Sequence, residues 1–306
     1  MKKELRIVFM GTPEFAVPSL EILINNGYNV VGVITAPDKP AGRGHKLNSS
    51  PVKAFAVANN LNVLQPKNLK DPAFQEELKS LNANLQIVVA FRMLPEAVWD
   101  MPEIGTFNLH ASLLPKYRGA APINWAIING ETETGVSTFF LKHEIDTGDI
   151  IMQDREPIHE DDNVGSLYTR LMARGSKLVL KTVQAIENDN YTLSSQPGET
   201  VEAPKIFKET CEIDLNKPTK QVYDFIRGLA PYPCAWTKIE GKVYKIYDAK
   251  KGQESDVTFE GDKEYVTDNK TYFYLNTADG YINIKEWQME GKKRMKIEDF
   301  LRGKQF

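Results

Sequence analysis

The run LRIVFMGTPEFAVPSLEILINNGYNVVGVI, from Leu5 to Ile34, decides the fold. Leu5 to Met10 is a short apolar run closed by Gly11 and Pro13, which reads as a buried strand. Ala16 to Asn26 carries Leu20, Leu23 and Ile24 at helical spacing, and Gly27 ends it. Val30 to Ile34 is a second apolar strand. Strand, helix, strand in this order predicts a parallel sheet.

The alternation continues outward from that unit. Helices are expected over Val52 to Asn60, Asp71 to Leu81, Ala121 to Asn129 and Val164 to Asn188. Strands are expected over Leu85 to Ala90, Thr106 to Leu109 and Val136 to Phe140. From Cys211 onward the texture changes to short β-type runs, such as Val243 to Tyr247 and Tyr272 to Leu275. Turn signals at Glu240-Gly241, Lys251-Gly252, Glu260-Gly261 and Asp279-Gly280 separate them, which predicts a small β-barrel. The expected organisation is an α/β domain over residues 1–193, a linker over 194–206 with Pro197, Gly198 and Pro204, and a barrel domain over 207–306.

Composition bounds the function. The 306 residues are 42% hydrophobic and 26% charged, ordinary globular values that exclude a disordered tail or a coiled-coil rod. Lys plus Arg number 38 against 41 Asp plus Glu, a net −3 that argues against nonspecific coating of nucleic acid. Two cysteines, Cys211 and Cys234, and four histidines leave no disulfide framework and no dedicated metal set, so no metal is expected. The opening Met1-Lys2-Lys3-Glu4 with its short apolar run does not fit a signal peptide. No run approaches a membrane span. The cytoplasm and a monomer are expected.

Asn108 and His110 lie two apart at the end of a strand, so they project to one side of it. Open α/β sheets place ligands at such strand ends. An Asn amide beside a His suits stabilisation of an oxyanion, although the same pair could simply fix a loop. The next run, Ala111 to Pro122, is a shaped loop held by Pro115, Gly119 and Pro122, with Lys116 and Arg118 expected in solvent. His143 to Asp149 is an acidic turn with Gly148 as its hinge. A carboxylate there could orient His110 and favour its charged form, or the turn could be a plain hairpin. Its spacing matches no metal motif. The first strand-to-helix turn, Gly11-Thr12-Pro13-Glu14-Phe15, lacks the G-x-G-x-x-G pattern, so it does not bind a nicotinamide cofactor.

Two basic segments stand out. The loop from Ala36 to Pro51 is long for a compact domain. Between Asp38 and Lys53, Lys39, Arg43, Lys46 and Lys53 oppose a single Asp, a charge suited to phosphate contacts. The final hairpin carries Lys292, Lys293, Arg294 and Lys296 with Tyr281 and Trp287 nearby, a pattern that fits a polynucleotide-binding face. Each segment reads equally well as a solvated charged loop.

Taken together, these stretches resemble the methionyl-tRNA formyltransferases. Phe9 to Leu20 resembles the family's opening, and Phe107-Asn108-Leu109-His110 through Asn124-Trp125 resembles its folate-dependent signature. Pro37 to Gly44 is similar to its inserted tRNA-reading loop, and Gly291 to Met295 with Phe300-Leu301 to the close of its C-terminal barrel. The resemblance implies a Rossmann-like formyltransferase domain with a mostly parallel sheet, followed by an OB-like β-barrel that binds tRNA. It implies formyl transfer from 10-formyltetrahydrofolate to the α-amine of methionine on initiator tRNA. Asn108 and His110 would hold the oxyanion and Asp146 would support His110. The folate would lie beside Ser112, Leu113, Leu114 and Pro115 and beside Phe91, Arg92 and Leu94. Many family members have a small residue where Arg92 stands. Lys39, Arg43, Lys46, Lys292, Lys293 and Arg294 would meet the tRNA. A nucleotide-sugar N-formyltransferase shares the Asn-His-Asp set, but a small sugar needs neither basic segment. An RNA-binding protein on a retired enzyme fold would not need the set at all.

Overall fold

The computed structural model describes residues 2–41, 46–252, 263–303 and 306. Elements run in the order β1 (Arg6–Gly11), α1 (Val17–Asn25), β2 (Asn29–Ile34), β3 (Lys39–Ala41), β4 (Lys46–Asn48), α2 (Pro51–Ala58), β5 (Val63–Leu64) and α3 (Pro72–Ser80). There follow β6 (Leu85–Val89), α4 (Glu96–Trp99), β7 (Gly105–His110), β8 (Lys116–Gly119), α5 (Pro122–Ile128), β9 (Glu133–Phe140), β10 (Ile150–Pro157), α6 (Val164–Glu187) and β11 (Val201–Ala203). The C-terminal part holds α7 (Thr219–Leu229), β12 (Ala235–Ile239), β13 (Lys242–Lys251), β14 (Tyr265–Thr267), β15 (Phe273–Thr277), β16 (Gly280–Met289), β17 (Met295–Lys296) and α8 (Ile297–Leu301). Three helices, α2, α3 and α5, begin on a proline, whose fixed φ and missing N–H suit that position. Ser50 and Asp71 cap the first two of these by accepting from Lys53 N and Ala73 N.

The chain forms two compact units. One comprises Met1–Arg118, Gly135–Glu156 and Thr169–Glu202; the other comprises Gly119–Thr134, Pro157–Tyr168 and Ala203–Phe306. The first is built on a seven-stranded sheet in the order β10-β9-β7-β6-β1-β2-β5. β1, β2, β5, β6 and β7 pair in parallel, as expected, while β7 and β9 pair antiparallel. On one face Val8, Met10, Ile34, Phe74, Leu78, Val88 and Val98 form a core cluster. α6 lies behind β7: a Cβ on Gly175 would sit 2.8 Å from Leu109 Cδ2, so glycine permits this close packing. Among the described residues no helix is long and apolar enough to cross a membrane.

The second unit carries a curled antiparallel sheet in the order β12-β13-β16-β15-β14, with β17 on β16. Register shifts between Ile246 and Ala249 lie on the longest strand pair, and bulges of this kind bend a sheet. The result is a half-barrel consistent with an OB-like domain. Its core is aromatic, with Tyr244, Phe273 and Phe300 placing their rings 4.5, 4.8 and 5.0 Å from Trp287. α7 was not expected from the run of β-type sequence. It buries Val222, Ile226 and Leu229, and its Gly228 lies against α5, where Asn124 Nδ2 donates to Gly228 O at 2.8 Å. The expected turn at Glu260-Gly261 lies outside the described residues.

Candidate active site

β7 delivers the site. It lies between β6 and β9 and ends on His110, which is 6% exposed. Alternation along the strand turns Leu109 towards α6 and puts half-buried Asn108 on the same side as His110. His110 Nε2 lies 2.7 Å from the Tyr117 carbonyl. A carbonyl only accepts, so Nε2 carries a proton and donates it there. Nδ1 then faces Asp146, whose Oδ2 is 3.9 Å away. The sequence placed these three residues within reach of one reaction, and the structure brings His110 and Asp146 together.

The acidic turn is shaped differently from the expectation. The hinge expected at Gly148 lies at Asp146, whose φ of +56° is in the left-handed region. Gly148 is required for clearance: a Cβ there would come within 1.6 Å of Phe140 O. The two ends of the turn are pinned, with Leu141 N donating to Thr106 O and Phe140 N to Asp149 O. Its other charged groups serve the surface, since His143 pairs with Glu96 and Asp149 with Lys142.

The loop after β7 is fastened by residues that the sequence did not single out. Ser137 Oγ donates to Ser112 O at 2.6 Å and accepts from Leu114 N and from Gln153 Nε2. Gln153 also donates to Leu114 O. Ser112 is buried with its hydroxyl donating to Lys116 O, and Leu114 packs with Phe139 and Ile150. Leu113 abuts Gly135. This loop therefore offers a ligand its backbone and half-buried Pro115. Tyr117 adopts φ of +61°, which aims its carbonyl at His110. Arg118 is half-buried, not solvated, because it donates to Gln196 Oε1.

Phe91 and Leu94 pack against the core cluster of the first unit, as does Leu141 directly after β9. Arg92 donates to the carbonyls of Pro66 and Lys67, and its guanidinium lies 5.6 Å from the Phe91 ring centroid. It therefore ties two loops together. Met93 and Ile145, on the loops carrying these residues, are 73% and 60% exposed. Apolar side chains left in solvent suit contact with an apolar ligand.

The basic segments divide. Lys39 is exposed at the start of β3. Arg43 lies outside the described residues, and of Lys46 only the backbone of β4 is described. Lys53 is tied to Asp38, with which it forms an ion pair, so it belongs to the scaffold of the loop. Hydrogen bonds from Lys53 and Gln65 hold the Asp38 carboxyl below its usual range. In the barrel hairpin Lys292 and Lys293 are exposed. Trp287 and Tyr281, read as surface aromatics, are instead core residues at 0% and 6% exposure. The aromatic ring at this face is Tyr247, with the Arg294 guanidinium 4.3 Å from its centroid and Glu286 pairing the same guanidinium.

Comparison with known proteins gives the family. Residues 5–183 match the formyl transferase family, and residues 205–305 match the formyl transferase C-terminal domain. The chain is 58% identical to the methionyl-tRNA formyltransferase of Bacteroides thetaiotaomicron, covering 99% of this chain and 97% of that one. It is 60% identical to the methionyl-tRNA formyltransferase of Phocaeicola vulgatus, covering 99% and 96%. Among solved structures, an N-formyltransferase from Helicobacter canadensis in complex with folinic acid and dTDP-3-aminofucose superposes with a TM-score of 0.68 at 23% identity, covering 95% of this chain and all of that one. That likeness shows the shared fold. The chain belongs to the formyl transferase family, and within it to the methionyl-tRNA formyltransferases.

Proposed function

We propose that this protein transfers the formyl group of 10-formyltetrahydrofolate to the α-amino group of methionyl-initiator tRNA. The observation that carries the reading is the convergence of His110 Nδ1 and the Asp146 carboxylate at the end of β7, beside Asn108. The folate supplies an activated formyl group. The chain's residues then do three things. Asn108 and, through a protonated Nδ1, His110 donate hydrogen bonds to the formyl oxygen as it gains charge under attack by the amine. Asp146, across from Nδ1, holds the imidazole in register and relays the proton that the amine gives up to the folate nitrogen, whose bond to the formyl carbon breaks as tetrahydrofolate leaves. The backbone of Ser112 to Pro115, with Phe91, Arg92, Leu94 and the acidic turn, forms the folate-binding surroundings. Exposed Met93 and Ile145 support that placement, being apolar and solvent-facing on the same loops.

The tRNA is met by the loop bearing Lys39, Arg43 and Lys46 and by the hairpin bearing Lys292, Lys293 and Arg294. The enzyme acts as a monomer in the cytoplasm. The test is a choice of acceptor: 10-formyltetrahydrofolate is offered with Met-tRNA or with a nucleotide-linked amino sugar. Formylmethionyl-tRNA is the expected product. Formylation of the sugar alone overturns the reading.

A further inference from the structure

Gln196 lies in the segment expected to be a linker, between the stretches that match the two family domains. It nevertheless reaches the catalytic turn. Its Nε2 donates to the carbonyls of Asp146 and Gly148, at 2.9 and 2.7 Å. Its Oε1 accepts from Arg118 Nε and from the Arg118 terminal nitrogen, at 3.1 and 2.6 Å. The chemistry fixes which way this amide faces, because a guanidinium only donates and carbonyls only accept. No other side-chain type of this length satisfies both sides: a carboxylate lacks the donors and an ammonium lacks the acceptor.

The position of Arg118 gives the contact its meaning. It follows Tyr117, whose carbonyl receives His110 Nε2–H. One dipeptide thus holds both catalytic partners, His110 through the Tyr117 carbonyl and the Asp146 turn through Arg118 and Gln196. The chain around Gln196 is itself anchored, since Ile150 and Ser194 exchange backbone hydrogen bonds in both directions. Asp146 needs such support because its left-handed backbone is uncommon for a residue with a side chain. We propose that Gln196, clamped by Arg118, is a positioning residue that sets the distance between Asp146 and His110 for formyl transfer.

This proposal rests on the formyl-transfer reading, and its test separates the two. Gln196→Leu removes both halves of the clamp. Gln196→Glu keeps the size and the Arg118 contact but has no donors, so it tests the same step if the apolar variant fails to fold. In each variant kcat is expected to fall by roughly 10- to 100-fold, with KM for 10-formyltetrahydrofolate and for Met-tRNA changed by less than about threefold. In an Asp146→Asn background the same substitutions should cost little more, because Gln196 acts through Asp146. The His110 imidazole resonances, followed by NMR, should move in both variants without any turnover being needed. An inactive parent chain would refute the formyl-transfer reading. Unmoved His110 resonances, a kcat within twofold of the parent, or a loss that multiplies fully with Asp146→Asn would each overturn the role of Gln196.

Discussion

The acidic turn and the half-barrel core are held together by opposite means. Around His110, backbone carbonyls of Asp146, Gly148 and Tyr117 are each met by a side-chain nitrogen. In the half-barrel, Trp287 is surrounded by the rings of Tyr244, Phe273, Phe300 and Phe306. Directional bonds fix atoms to a fraction of an ångström but bury little area. Ring packing buries a great deal of area and tolerates small shifts. The difference teaches that substitutions in the turn should change rate with little effect on folding, and substitutions in the barrel the reverse.

The largest expected effect is on stability. Trp287→Ala should lower the unfolding free energy by about 3–5 kcal/mol in chemical denaturation. Activity per folded molecule should be largely kept at low temperature. A loss of rate with an unchanged denaturation midpoint would break the contrast. Next, Asn108→Ala should reduce kcat by about 10²–10³-fold, the usual cost of one oxyanion donor, with an unchanged melting temperature. A comparable fall in melting temperature would make Asn108 a structural residue.

Smaller effects sharpen the contrast on the surface of the barrel. Replacing Lys292 and Lys293 together by Ala should weaken Met-tRNA binding, with a salt dependence shallower by roughly one unit per lysine lost. Unchanged tRNA binding and salt slope would remove this hairpin from the interface. The buried thiols test the core at its mildest. Burial pushes Cys234 up to about 12 and raises Cys211 as well, and Cys234 Sγ donates to Ile246 O. Both should stay protonated and resist Ellman's reagent in the folded chain at pH 8. A raised thiol pKa contributes its full stability below the ordinary thiol range, about 8.5, and loses it as pH climbs towards 12. Denaturation midpoints should therefore fall between pH 8 and pH 10, and Cys234→Ala should flatten part of that fall. Rapid thiol modification of the native chain would show that the core opens readily.

Much of this was legible in the sequence because local pattern dominates there. β1, β2 and β6 are short apolar runs, and they lie where periodicity put them. Asn108 and His110 were legible because two-residue spacing on a strand fixes a common face. β10 was not legible: Gln153, Asp154 and Arg155 interrupt its apolar run, and Gln153 bonds to the loop after β7 while Asp154 accepts from Arg174 of α6. Trp287 and Tyr281 were misplaced because closeness in sequence to the basic turn does not fix which face of the sheet a side chain takes. Gln196 carries no sequence signal at all. Its partners lie 78, 50 and 48 residues away, and only the folded chain brings them to one amide.

The central claim is that His110, held between the Tyr117 carbonyl and Asp146, takes part directly in formyl transfer. The most direct test is the single-turnover rate of His110→Ala with saturating 10-formyltetrahydrofolate and Met-tRNA, beside the parent chain. A loss of about 10²-fold or more, with both substrates still bound and the fold intact by circular dichroism, is the predicted result. A rate within a few-fold of the parent would contradict it.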